Sequence, residues 1–223
     1  MDLQTVVDQA HTAYADGRAV QPRANRRGEL VVADFWTQML LDGRIYHVQV
    51  GTEDAPVDST AAIDDELVWA LVDQNAGNAM VPFAASVRIA NWTTATLVGS
   101  MLEADLAKKR YSSGGTAFTP RCLRGDTPNT FDGAAYVGTD VTALAKSAVP
   151  DSVEFHRGPL VEDAQATPDA AAANVALEYS ARKDALVAVV GVGSLLLHHG
   201  ATTADVKSYG FLQFVQIDRS KFV

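Results

Sequence analysis

The chain reads as a mainly β protein, a jelly-roll-like antiparallel β-sandwich with a short N-terminal helix and an extended basic arm. Three observations lead there. Apolar runs rich in Val, Thr and aromatics recur at short spacing with Gly, Pro, Asn and Asp between them, and almost no helical stretch separates them to carry a parallel crossover. Two of the longest runs close the sequence, DALVAVVGVGSLLLHHG over 184–200 and KSYGFLQFVQI over 207–217, and together suggest a long buried hairpin. No fixed period repeats, which disfavours a propeller or solenoid.

Residues 1–28 read as helix and arm. Leu3, Val6, Val7, Ala10 and Tyr14 form one stripe at helical spacing, and Gly17 stands where a left-handed cap would end it. Arg18, Arg23, Arg26 and Arg27 follow, with Pro22 and Asn25 among them, in an extended basic segment suited to docking on an acidic neighbour. The sandwich is expected over 29–223. It opens with a strand over 30–41, an Asp42-Gly43 turn and a strand over 44–50, a hairpin in which His47 shares a face with Ile45 and Gln49. The acid-rich stretch 51–66 has the oxygens a hard cation needs but no regular spacing, and reads as a solvated loop. Strands are expected at 67–73, 79–91 and 94–106. The last competes with a helix, but Thr93, Thr94 and Thr96 favour a strand. Ser113-Gly114-Gly115 reads as a turn. Shorter segments follow at 134–137, 139–148 (strand or short helix), 152–156, 160–163 and 175–180.

Composition narrows the function. With 223 residues and 48% hydrophobic side chains a substantial core can be filled. A net charge of −9, from 27 acidic and 18 basic residues, repels a phosphate backbone, so nucleic acid is not expected as a direct partner. Cys122 is the single cysteine, so no internal disulfide forms, a reducing compartment is implied, and the residue reads as small and half-buried. The N-terminus has no leader-like apolar stretch, and 186–197 is too short for a span and broken by Gly191 and Gly193. The chain is therefore expected to be soluble, without a membrane partner.

The search for chemistry is mostly negative, and neither an enzymatic activity nor a cofactor is expected. GVGS at 191–194 lacks the Lys-Ser/Thr of a phosphate loop and reads as strand glycines. No G-x-S-x-G elbow occurs. His198 and His199 are adjacent and would face opposite sides of a strand, so they cannot chelate one ion from a single chain. A ring of one His per subunit at a threefold axis could, although a polar strand end explains the pair as well. A cupin-like metal enzyme would need convergent histidines, and His47, His156 and His198 are scattered. Trp36, Trp69, Trp92, Phe211 and Phe214 are expected in the core or a subunit contact. Trp92, Tyr111 and Tyr136 are the candidates if the chain binds carbohydrate or a receptor.

Three stretches, DFWTQMLLDGRIYHVQVGTEDAPVDS, KKRYSSGGTAFTPRCLRGDTPNTFDG and GSLLLHHGATTADVKSYGFLQFVQI, resemble head-structure proteins of tailed bacteriophages and their uncultured relatives. The resemblance begins at about Asp34 and rests on strand and turn patterns. It implies a virion structural protein, a homotrimeric capsid decoration or cement protein made in the host cytoplasm and placed on the capsid surface. Its partners would be copies of itself and the major capsid protein or neighbouring head subunits. Fibre-associated and capsid-forming roles are the alternatives.

Overall fold

The computed structural model describes residues 34–58, 67–91, 96–125, 129–138, 144–147, 152–163, 175–201 and 206–221. The expected N-terminal helix, the arm with Arg18, Arg23, Arg26 and Arg27, the later part of the acid-rich loop, and Trp92 lie outside these residues.

The first element corrects the expected strand over 30–41. Phe35–Leu41 is a helix, α1, because Asp34 caps it: its carboxylate accepts from Trp36 N at 3.0 Å, Thr37 N at 3.2 Å and Thr37 Oγ1 at 2.7 Å. Three local bonds at the N-terminus outweigh the strand preference of the aromatic residues. The bonds from Thr37 hold the Asp34 carboxyl below its ordinary range. Gly43, at φ 65°, ends the helix with its amide bonded to the Leu40 carbonyl at 3.0 Å, so Asp42-Gly43 is a helix stop and not a hairpin turn.

Eight principal strands make a two-sheet sandwich: β1 (Ile45–Val50), β2 (Ala70–Gln74), β3 (Asn78–Asn91), β4 (Thr96–Asp105), β5 (Ser152–Arg157), β6 (Val175–Ser180), β7 (Gly193–Ala201) and β8 (Lys207–Asp218). The first sheet runs β6-β3-β8-β1 and is extended beyond β1 by Arg121–Cys122. The second runs β5-β4-β7-β2 and is extended beyond β2 by Gly133–Val137 and then Thr116–Phe118. The pairing is nested: β1 with β8, β2 with β7, β3 with β6 and β4 with β5, all antiparallel. Two further pairings, β8 with β3 and β7 with β4, bind these pairs into sheets. The expected closing hairpin is therefore overturned. β7 and β8 lie in opposite sheets, because each apolar run finds its partners far back in the chain. Within the segment expected at 94–106, Thr96–Asp105 forms a strand.

Alternation places the core. From the first sheet Tyr46, Val48, Val87, Leu212 and Phe214 point inward, and from the second Val72, Leu102, Ala104, Leu195 and Leu197 meet them. Tyr46, Phe131 and Phe214 pack with ring centroids 5.2–5.8 Å apart. Trp69 is buried here as well, whereas Trp36 and Phe211 are only partly buried. The outer face of the second sheet is covered by a small third sheet of Leu67–Val68, Leu144–Lys146 and Tyr111–Gly114. Leu71 and Leu196 turn outward to meet Val68 and Leu144 beneath it. Buried on both sides, β7 shows no alternation, and all nine of its residues are inaccessible.

The glycines of GVGS serve packing, as expected. A Cβ at Gly193 would strike the Asp105 carbonyl oxygen and a Val189 methyl, and Gly191 holds φ 86°. Gly193→Ala is expected to cost about 2 kcal/mol in urea unfolding, since backbone and not a flexible side chain blocks the space.

Candidate interaction face

Among the described residues, one outer face of the sandwich stays bare. Helix α1 covers only one end of the first sheet, where Met39 packs on Ile45, Val215 and Ile217, and Trp36 lies 5.0 Å from Phe83. Beyond it the cross-strand register sets out rows of outward side chains. His47 of β1 stands between Arg121 and Gln213, and Gln213 faces Ala84 of β3. In the next row Gln49 lies opposite Phe211, Phe211 opposite Ser86, and Ser86 opposite Glu178. Tyr209 then pairs with Arg88. His47, Gln49, Tyr209, Phe211 and Gln213 are all half-buried, and Arg88 and Arg121 are exposed.

A hydrogen-bond chain fixes this surface. Gln49 Nε2 donates to the Gly51 carbonyl at 2.8 Å, so its Oε1 faces His47 Nε2 at 2.9 Å, and His47 Nδ1 lies 3.2 Å from Gln213 Nε2. The pattern fits the imidazole tautomer with its hydrogen on Nε2, accepting from Gln213 at Nδ1. The Phe211 ring lies 5.4 Å from the imidazole. An ordered set of amides and aromatics on a strand scaffold loses little side-chain freedom when a partner covers it, which suits docking. Beside it, between β1 and Arg121, is an open hollow of about 610 Å³ that His47, Gln49, Glu53, Phe118 and Tyr209 help to line.

The expected histidine pair is elsewhere. His198 and His199 do face opposite sides of β7, but they are 4% and 1% exposed, already enclosed by their own chain. That removes the symmetry-axis ring: neither imidazole reaches a surface on which three copies could converge. His199 lies between the two sheets, with Nδ1 2.8 Å from Ser100 Oγ and Nε2 2.9 Å from Ser208 Oγ, and its ring 4.9 Å from Trp69. Burial pushes this imidazole down to about 3, so it is neutral at pH 7.

His198 belongs to a buried ionic cluster between the second and third sheets, which the sequence reading did not single out. Its Nε2 is 2.7 Å from Glu103 Oε2, and Lys146 Nζ of the third sheet donates to the same oxygen at 2.7 Å. Arg110 Nη1 stands 3.3 Å from Asp105 Oδ2 and 3.6 Å from Glu103 Oε1, while its Nε donates to the Ser147 carbonyl at 2.8 Å. Ser194 Oγ bonds Asp73 Oδ1 at 2.5 Å. Burial alone would raise the Glu103 carboxyl, but hydrogen bonds from His198, Lys146 and Ser152 outweigh it and hold the group well below its usual range. Glu103 and Asp105 meet Lys146 and Arg110 inside the protein, and Asp73 accepts from the Arg110 and Tyr111 amides, so the cluster clamps the third sheet in place. The available signal was two acids, Glu103 and Asp105, on the outward positions of a strand that a covering layer then buries.

The other expectations separate in space. His47 lies on the bare face, His156 is 4.0 Å from Asp184 and 5.3 Å from the Tyr179 ring centroid, and His198 is in the ionic cluster. Among the described residues no three His, Cys, Asp or Glu side chains are placed to hold a metal ion. Tyr111 and Tyr136 stack on each other at 3.5 Å and 4°, which occupies one face of each ring. Cys122 is half-buried and donates to the Gly43 carbonyl at 3.3 Å. Comparison with protein-family models, curated proteins and solved structures gives no match.

Proposed function

We propose that this chain is a virion structural protein, a jelly-roll subunit that decorates and stabilises a phage head as a homotrimer bound to the major capsid protein. The nested pairing carries the reading. Eight strands joined first to last, second to seventh, third to sixth and fourth to fifth are what one long antiparallel hairpin yields when rolled into two facing sheets, the double Greek key of a jelly roll. Capsid subunits, lectins and cupins share that plan. The asymmetry of the sandwich favours the first use: one outer face is closed by the chain's own third sheet, while the other presents amides and aromatics over several strands. In this reading β7, enclosed between the second and third sheets, offers no contact to another chain, whereas β8 presents Tyr209, Phe211 and Gln213 on the bare face.

Light scattering at micromolar concentration is expected to give three times the 23.7 kDa chain mass. The same protein should co-sediment saturably with undecorated heads. A monomer that leaves heads bare at saturating concentration would overturn the reading. Replacing Arg18, Arg23, Arg26 and Arg27 with Gln is expected to weaken head binding roughly tenfold and to flatten its salt dependence, without changing the thermal midpoint.

A further inference from the structure

Among the described residues, the edge of the first sheet has a gap beside β1. The Arg44 carbonyl accepts from Gln216 N, so Tyr46, Val48 and Val50, in phase with Arg44, turn their backbone groups toward β8. Ile45, His47 and Gln49 therefore turn theirs to the outer edge. Leu123 N bonds the Ile45 carbonyl at 2.9 Å, and His47 stands opposite Arg121. The next outward residue is Gln49, and the same register would bring it opposite Thr119. No backbone bond joins them. The chain there leaves for Thr116–Phe118, which pairs with Gly133–Val137 in the second sheet. Among the described residues the Gln49 amide and carbonyl have no backbone partner, and Gln49 lines the 610 Å³ hollow.

The walls of the hollow define what fits. Phe118, Tyr209, Glu53 and Arg121 help to line it, and the exposed Arg121 guanidinium makes no hydrogen bond or ion pair with any described residue. We propose that this edge receives an extended peptide segment of a partner chain, which adds a short strand beside β1 and sets a carboxylate on Arg121. A donor and an acceptor on one strand residue, spaced as in a ladder, suit a backbone better than a sugar, and the lone guanidinium selects the charge. Glu53 disfavours a segment acidic throughout. The proposal deepens the docking role given above by naming the chemistry of one contact. It is tested on the free subunit, so that loss of head binding and loss of peptide binding are separate results.

The test is a random decapeptide library selected against the purified full chain, with the recovered peptides measured by fluorescence polarisation. Peptides holding one central Asp or Glu should be enriched. Arg121→Ala should weaken them at least tenfold, Arg121→Glu should turn selection toward Lys or Arg, and N-methylation of the peptide backbone beside the acid should abolish binding. Hydrogen exchange at the Gln49 amide should slow on binding. An unenriched library, affinity indifferent to Arg121 or to N-methylation, or sialyllactose binding that is lost in Arg121→Ala while no peptide is selected would each overturn the proposal, the last in favour of a carbohydrate.

Discussion

Replacing Glu103 with Ala is expected to lower stability by about 3–5 kcal/mol, because it strands the buried Lys146 ammonium, takes the hydrogen-bond partner from His198 and leaves Arg110 to Asp105 alone. For a chain of this size that is a fall in the thermal midpoint on the order of 10 °C. The loss should be local first. Lys146 lies in Leu144–Lys146, and Arg110 directly precedes Tyr111–Gly114, so the third sheet should lose amide protection before the sandwich does. Glu103→Gln keeps hydrogen-bond acceptors without the charge and should fall between wild type and Ala. Glu103→Met combined with Lys146→Met should recover much of the loss, since a buried ion pair exchanged for apolar side chains costs little. Calorimetry with hydrogen exchange checks both points, and an unchanged midpoint for Glu103→Ala would show that the clamp contributes nothing.

The second large effect is a pH dependence carried by His199. Its folded value of about 3 lies below the ordinary imidazole value of 6.5, so between these limits the unfolded chain binds more protons than the folded one. The stabilisation is complete above pH 6.5 and is lost as the pH falls, at up to about 1.4 kcal/mol per unit. Glu103, also depressed, adds its own loss only below its ordinary value of 4.5. The window from pH 6.5 to 4.5 therefore isolates the histidine among these two groups. His199→Gln, which can bond one of the two serines, should be less stable than wild type at pH 7 and should show a flatter curve across that window. Urea unfolding at half-unit intervals gives the comparison, and parallel curves would remove His199 as the cause.

The strands were legible because half-buried antiparallel strands alternate in the sequence itself, as β1, β3 and β8 do. The helix α1 was misread because DFWTQMLL is rich in strand-forming side chains. Its correction lies in one residue, Asp34, whose bonds to Trp36 and Thr37 are cheap to form locally. The supposed closing hairpin failed for a different reason: alternation tells which residues share a face, and says nothing of which sheet a strand joins. The bare face needed that sheet order, since His47, Gln213 and Arg121 lie far apart in the chain and become neighbours only through β1, β8 and Arg121–Cys122. The ionic cluster needed the third sheet, which turns the outward positions of β4 and β7 into interior ones.

Nested pairing also sets the order in which the molecule can be made. β8 lies in the middle of the first sheet, between β3 and β1, and its contacts with β1 join residues 45–50 to 210–215. While a ribosome is still translating, β1 and β3 have no strand between them, and the hydrophobic inner face of the second sheet has no complete lid. The high contact order predicts refolding in milliseconds to seconds and an all-or-none acquisition of protease resistance once residues 207–218 have emerged. Nascent chains stalled before that point should be cleaved within β1 and β3, whereas chains stalled well beyond it should resist.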